Sequence, residues 1–320
     1  MRVIVVGGGA IGCATALALA RRGVAVELLE RDRVGAGASG AAAGMLAPLS
    51  ESQTPDPFVP IGLSALREFS PWVDTVEALA GMRLDLVHSG VLMLAATGDE
   101  VALRDRLDWQ RHHDPGATYL EGPALARLAP HLAAGTAGGL HYPNEVQVDA
   151  RRYTWALKRA AQAAGAHIQE GTPVTAIRQE AGQATGVVTG RERLDADAVV
   201  IASGSDPALL RQVGADLPLV PIKGEMVRLL LAGPLARWPG PSSSPPAGTS
   251  CPRPTAASWW APLSSPTTTT WGSPRAWWRP CWSSLGAWSQ SWQRRGSSRP
   301  GPGCARACPT GCRPSARCRS

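Results

Sequence analysis

The chain opens with an apolar, β-branched run, Arg2 to Val6, that halts at Gly7. Such a run is too short for a helix of its own and reads as a buried strand. From Ala10 the segment AIGCATALALARRG changes pattern and predicts a helix that Gly23 terminates. VAVELL, Val24 to Leu29, returns to strand pattern and closes on Glu30. Much later Asp149 stands where a cap is needed, ahead of a helical run to Ala164 that Gly165 stops before a strand at AHIQE. TAIRQE and ATGVVTG then read as a short meander, and DAVVIASGS carries a strand into Ala202, Ser203 and Gly204. The charged stretch from Gly98 to Asp114 reads as a solvated helix face.

The first strand and helix are joined by GGGAIG, which sets Gly7, Gly9 and Gly12 at GxGxxG spacing. Each glycine meets a separate physical need, in order a sharp turn, close approach of backbone to a pyrophosphate, and close packing of helix on strand. The helix N-terminus, through Ala10 and Ile11, can then face phosphate charge. Glu30, at the end of the second strand and followed by Arg31, can accept hydrogen bonds from ribose hydroxyls and would repel a 2′-phosphate, which favours FAD or NAD over NADP. Cys13, just inside the helix, reads as a small packing residue.

Composition modifies this picture chiefly at the end of the chain. The 320 residues carry a formal charge of +7, yet all 25 acidic residues lie at or before Glu225. Up to that point there are 20 basic groups, net −5, and beyond it 12 arginines and no acid. The basicity is confined to the tail and argues for no nucleic-acid partner. Six of seven cysteines also lie in the tail, so the front part reads as cytoplasmic and disulfide-free. The N-terminal pattern is not that of a signal peptide, and no apolar run approaches the roughly 18 residues of an integral membrane segment.

After the second strand comes GASGAAAGML, in which nearly every residue from Ala38 to Gly44 is small enough to let backbone lie against a flat ring. This segment resembles the flavin-contacting segment of the glycine oxidases, within the D-amino acid oxidase family. The resemblance continues, in family order, through Gly90–Ala95, through VQVDARRYTWALKRAAQAAGAHI, through Thr172–Val174, through DAVVIASGS and through Pro221–Met226. It implies an α/β fold: a Rossmann-like FAD-binding domain of the GR2/D-amino acid oxidase type, interleaved with an α+β substrate domain. The implied segments are 1–85 and 146–219 for the FAD domain, and 86–145 and 220–236 for the substrate domain.

Ala38, Ser39, Ala43, Gly44 and Met45 would line FAD, with Met45 also near the substrate. Val174 would contact the adenine end, although a plain strand valine explains it locally as well. Ala202, Ser203 and Gly204 would form a second approach to the cofactor. The implied activity is FAD-dependent oxidation of glycine or a similar amino acid by dioxygen, feeding the thiazole branch of thiamine synthesis, in an enzyme that can form a homo-oligomer. A sarcosine or D-amino acid oxidase of the same fold, a non-catalytic FAD-binding remnant and a nicotinamide dehydrogenase remain as alternatives. No residue is assigned as a catalytic acid or base, and no metal site is expected. The six histidines, His88, His112, His113, His131, His141 and His167, have no ligand-like spacing and read as structural or surface groups.

From about residue 237 the composition changes abruptly: Asp, Glu, Asn, His, Lys, Tyr, Phe and Ile vanish, and eight Trp fall between Trp259 and Trp292. Pro, Ser and Arg enrichment suggests disorder, but disordered segments are poor in aromatics. Regrouping the codons by one base offers a better account. Pro254 to Ser265 then permits DGRLVVGATVE, and Pro300 to Arg313 permits WAGLRPGLPDGLP, close to the arginine motif of the family. The spacing of Cys304, Cys308 and Cys312 mimics a metal site but falls on displaced codons. A one-base frame displacement between about residues 233 and 250 is therefore expected. It would leave 237–320 an out-of-frame tail, disordered or misfolded, and the chain as written insoluble or weak in FAD binding.

Overall fold

A computed structural model describes residues 1–95, 98–130, 132 and 136–229, together with three strand backbones between 242 and 262. The remainder of the tail, including Cys304, Cys308 and Cys312, lies outside the described residues, as does His131.

The N-terminal pattern folds as the sequence predicts. Strand β1 (Arg2–Val6) leads into helix α1 (Ala10–Ala20) and strand β2 (Ala25–Leu29). The helix ends where its last carbonyls are taken up by the following turn: the Gly23 N–H donates to Ala20 O and the Val24 N–H to Leu19 O. Gly23 makes that turn at φ +77°, a conformation costly to any residue with a Cβ. After a single helical turn α2 (Ala38–Ala41) and the short strand β3 (Met45–Leu46), the long helix α3 (Phe58–Ala80) runs to Gly81, which closes it at φ +64°.

After Gly81 comes the segment 82–149. It contains β4 (Val91–Leu94), α4 (Glu100–Gln110), β5 (Thr118–Leu120), α5 (Gly122–Leu128), β6 (Gly139–Tyr142) and β7 (Val146–Gln147). Helix α4 refines the expectation of a solvated face: five of its eleven residues are exposed, but Leu107 and Gln110 are buried against the loop that follows β3. The chain then runs through α6 (Ala150–Ala163) to β8 (His167–Gln169), which pairs with β2. Asp149 caps α6 as predicted, its carboxylate accepting from the Arg152 N–H at 2.9 Å. The antiparallel strands β9 (Val174–Glu180), β10 (Gln183–Thr189) and β11 (Arg193–Asp195) follow, then β12 (Ala198–Ile201) and α7 (Ala208–Gln212).

Four strands form a parallel sheet in the order β12-β1-β2-β8. Parallel strands need both faces covered. One face packs Val3, Val5, Val26 and Leu28 against α1, α3 and α6, with Ala16, Ala20, Ala156, Ala160 and Ala161 allowing the helices to approach closely. The other face sets Ile4, Val6 and Leu29 against Ile177, Val187 and Leu209 of the meander and α7. A mostly antiparallel sheet has the order β13-β16-β15-β14-β4-β6-β5. Its additional strands are β13 (Gly224–Leu229), β14 (Ser242–Ser244), β15 (Thr249–Pro252) and β16 (Ala257–Pro262), and β14 runs parallel to β4. A two-stranded ribbon, β3 with β7, pairs Met45 with Gln147 and Leu46 with Val146. Among the described residues no helix is long and apolar enough to cross a membrane.

Candidate dinucleotide and flavin site

Three loops meet at the C-terminal ends of β1, β2 and β12. At β1 the chain turns through Gly7, at φ +113°, and the Gly7 N–H donates to Leu29 O at 2.9 Å. A Cβ at Gly7 would stand on the Ala202 carbonyl, and one at Gly12 on the Gly7 carbonyl. These two glycines therefore fix how closely strand, helix and the β12 loop approach one another. A Cβ at Gly9 would lie 3.1 Å from Ser39 Oγ, so that position faces a side chain rather than backbone.

The start of α1 has Gly9 as its cap, without a side-chain hydrogen bond and with no acidic residue in its first turn. The Ala10 N–H donates to Ser39 Oγ at 3.0 Å, while the Ile11 side chain is exposed and leaves only its backbone to act at the site. The helix end thus has a partial positive charge with no carboxylate in its own first turn, the arrangement a pyrophosphate requires.

Glu30 lies across the turn. Its Oε2 accepts from the Gly8 N–H at 2.6 Å and its Oε1 from the Asp32 N–H at 2.9 Å, which orients the carboxylate beside the glycine loop. The remaining lone pairs suit ribose hydroxyls. Thr172, which donates its N–H to Glu30 O at 2.8 Å, brings the start of β9 alongside. Val174, two residues on, is half-buried in the apolar cluster with Ile4 and Val6, so it serves at least as a packing strand valine. Arg31 is exposed and pairs with Asp206 at 3.1 Å, tying the second loop to the third.

The small-residue segment doubles back on the glycine loop. The Gly35 N–H donates to Gly8 O at 2.9 Å, and a Cβ at Gly40 would collide with the Gly35 carbonyl. Ala38 is exposed at the first position of α2, Ser39 reaches α1, and the Ala43 carbonyl accepts from Gln147 Nε2 at 3.2 Å. Gly44, at φ +83°, lies against the Val148 carbonyl, and Met45 follows half-buried in the ribbon. On the third side the Ala202 N–H donates to Val6 O at 2.8 Å, Ser203 Oγ donates to Asp206 O at 2.8 Å, and Gly204 turns at φ +66°. The residues expected to hold the cofactor lie on these loops, in the first turns of α1 and α2, at the start of β3 or, for Val174, on the adjoining strand. Motif spacing gives no role to Gly8, Gly35 or Gly40, which the structure draws into the same contact. The triple glycine of GGGAIG is the available signal for Gly8, since only one of three neighbouring glycines falls outside the motif.

Beside β3 a groove of about 530 Å³ separates the 46–56 segment from α3, with Leu46, Pro48, Glu51, Asp56, Phe58 and Phe69 among its walls. Burial lowers the pKa of the half-buried His141. Among the described residues no cluster of His, Cys, Asp and Glu could hold a metal ion. Cys13 is fully buried, its Sγ directed at Gly8 O at 3.7 Å, and burial pushes its thiol up to about 12, so it packs and does not react.

The residues present fit an adenine dinucleotide, since the start of α1, with no acidic residue in its first turn, and the Glu30 carboxylate stand beside the same glycine turn. Comparison with known proteins points the same way. The chain is 37% identical over 237 residues to the glycine oxidase of Geobacillus kaustophilus, covering 73% of this chain and 62% of the relative. It is 35% identical over 232 residues to the bifunctional protein ThiO/ThiG of a Synechocystis strain, covering 71% of this chain and 33% of that longer protein. The chain thus spans less than two thirds of the length of either relative. The crystal structure of the G. kaustophilus glycine oxidase superposes with a TM-score of 0.78 at 31% identity, covering 86% of this chain and 75% of the other. The profile of the FAD-dependent oxidoreductases known as the DAO family matches residues 2–255, and the chain belongs to that family.

Proposed function

We propose that the gene encodes an FAD-dependent oxidase of glycine or a similarly small amino acid. The observation that carries this reading is the convergence of three side-chain-poor loops, at Gly7–Gly12, Ala38–Met45 and Ala202–Gly204, on the ends of β1 and its neighbours. Backbone N–H groups at the start of α1 hold the pyrophosphate, Glu30 the ribose, and Arg31 and Val174 flank the adenine side. Ala38, Ser39, Ala43, Gly44 and Met45 would line the isoalloxazine, with Met45 also near the substrate. Residues 1–85 and 146–219 serve as the FAD domain, and 86–145 with 220–236 as the substrate region over its flavin face.

A bound flavin would supply the redox chemistry, accepting a hydride from the substrate α-carbon and passing the two electrons to dioxygen to give hydrogen peroxide, while water would hydrolyse the imine to a 2-oxo acid and ammonia. The protein contributes orientation and charge pairing, so no titrating base is required. Imine supply to the thiazole branch of thiamine synthesis is the fitting role, given the resemblance to a ThiO/ThiG protein.

The chain as written lacks this activity in our reading. An arginine that grips the substrate carboxylate through two parallel bonds is the expected anchor, and it lies only in the displaced frame. Arg294, Arg306 and Arg313 do not stand in the motif as translated. Two observations support displacement. The similarity to the two relatives covers 71–73% of this chain. The backbone at Ala257–Pro262 also runs as a strand between β13 and β15, and this is the stretch that the other frame reads as an apolar run, LVV, closed by Gly and Ala.

Purified chain and a version restored by one base are the materials for the test, each incubated with FAD and then with glycine, sarcosine or D-alanine. The restored protein is expected to be yellow and to release peroxide fastest with glycine, and the chain as written to release none. A restored protein that stays colourless in FAD overturns the reading. Peroxide from the chain as written overturns its inactivity.

A further inference from the structure

The segment that follows Met45 is held by side chains that the dinucleotide site does not use. Glu145 is 1% exposed and stands immediately before β7, the strand that pairs with Met45–Leu46. Its Oε1 accepts from the Leu49 N–H at 2.7 Å and from the Ser50 N–H at 2.9 Å. From the opposite side, helix α4 supplies the donors. Arg106 Nη2 donates to Leu49 O at 3.1 Å and to Ser50 O, and Gln110 Nε2 donates to Leu49 O at 2.7 Å and Ser52 O at 3.1 Å. The Tyr142 hydroxyl donates to Gln110 Oε1 at 2.7 Å and so fixes the orientation of that amide.

Five backbone groups over four residues are thus bonded to side chains remote in sequence. Leu49 and Ser50 are buried, so their backbone groups are out of reach of water and depend on these side chains. Leu49 adds an apolar anchor, packed with Val59, Leu107 and Tyr142. The same segment forms one wall of the 530 Å³ groove, and it follows closely on Met45, the last residue that the oxidase reading places beside flavin and substrate.

We propose that Glu145, with Arg106 and Gln110, is a positioning residue of the oxidase site: the three fix the shape of residues 47–52 and through it the placement of Met45 at the flavin. This rests on the flavin reading given above. The groups that act on Glu145 are Ser50, the Leu49 N–H and the Glu51 charge on the clamped loop, with Tyr142 on β6 nearby and Arg106 acting on Glu51 and Tyr142. Burial pushes the Glu145 carboxyl up to about 7, against the lowering effect of the Ser50 and Leu49 groups, and the Glu51 charge adds to the rise. The carboxylate can therefore gain or lose its proton near neutrality, and the grip on the two N–H groups weakens as the proton is gained.

Hydrogen–deuterium exchange on the version restored by one base, the wild type of this test and the form expected to hold FAD, tests both halves of the proposal. Exchange is followed at residues 43–54 with and without added FAD, at pH 6 and pH 8 after correction for intrinsic rates. In the wild-type chain the Leu49 and Ser50 amides are expected to be protected, less at pH 6 than at pH 8. Glu145→Ala removes at least tenfold of that protection while the β1 and β2 amides are unchanged. Glu145→Gln, whose amide oxygen can accept the same bonds, restores most of it without pH dependence. Should Glu145→Ala unfold globally, Arg106→Met is expected to loosen residues 47–52 alone. Added FAD should protect residues 43–46 in wild type and in Glu145→Gln, and not in the loosened variants. Equal exchange at Leu49 and Ser50 in wild type and both loosened variants overturns the clamp. A working clamp with no FAD protection at 43–46 in wild type overturns the flavin reading and the assigned purpose of the clamp, leaving the hydrogen bonds as found.

Discussion

Gly12 and Gly37 are both glycines in the first forty residues, yet the structure gives them opposite tolerance. A Cβ at Gly12 meets the Gly7 carbonyl, whereas one at Gly37 meets nothing within 4 Å, and φ at Gly37 is −87°. Gly12→Ala is therefore expected to push α1 off the strand, to lower FAD affinity by about a hundredfold, and to cost roughly 1–3 kcal/mol of stability through overpacking. Gly37→Ala is expected to leave both within experimental error. Flavin titration and thermal melts of the two variants side by side provide the check, and equal loss in both would show that the close contact at Gly12 is not what matters.

Glu145 supports a second test at this scale, concerning stability against pH. Its folded pKa of about 7 lies above the ordinary 4.5, so the folded protein holds a proton that the unfolded chain releases. The corresponding stabilisation is complete below about pH 4.5 and is lost as pH rises through about 7. Its ceiling is roughly 3 kcal/mol, from about 1.4 kcal/mol per pKa unit. The melting temperature should fall by several degrees between pH 5 and pH 8, and Glu145→Gln should flatten that slope. A wild-type curve that is flat or rises over this range would be incompatible with a buried, protonated Glu145. The residue is illegible in the sequence because nothing about an isolated Glu predicts burial, whereas GxGxxG and Glu30 carry their meaning in local spacing.

Among elements, α6 shows most directly how local pattern becomes packing. Ala156, Leu157, Ala160 and Ala161 are fully buried against α1 and the sheet, and Thr154 turns inward to donate to Ala150 O. The apolar positions recur at helical spacing, the cap is an Asp and the stop is a Gly, so this helix is readable from its letters. Ala160→Leu is expected to cost about 1–3 kcal/mol by overpacking the α1 contact, and Asp149→Ala about 1 kcal/mol by removing the cap. Denaturant unfolding should place both effects in the midpoint, with an unchanged slope. Helix α3 is not readable in the same way. Pro60, Gly62 and Pro71 interrupt its pattern, and it exists because its buried side, Val59, Val73, Val76 and Ala80, has neighbours to pack against, the last three of them the sheet and α6. Two arginines of α6 also reach its end, Arg159 donating to Ala80 O and Arg152 to Arg83 O. Tertiary contacts of that kind leave no periodic trace.

At the scale of the whole molecule, the order β12-β1-β2-β8 sets β2 beside a strand that begins at His167. Local sequence declares the βαβ start but does not state which later strands join it. The resemblance to known flavoproteins supplies that, because the segments appear in family order even though the linking region is long. The antiparallel sheet is legible only in part. GVLMLA and PIKGEM carry the family resemblance, whereas the β4–β6–β5 pairings depend on contacts between segments with no turn signal of their own.

That strand order also bears on the timing of synthesis. Every strand of the parallel sheet is translated by Ile201, ahead of the stretch in which a change of codon register is expected. Domains generally fold in order of emergence, so the nucleotide cradle can close on the ribosome while the nascent polypeptide still matches that of an unbroken gene. A quality-control defect in this protein would then begin late, at the sheet that awaits β14 to β16, with the N-terminal half already compact.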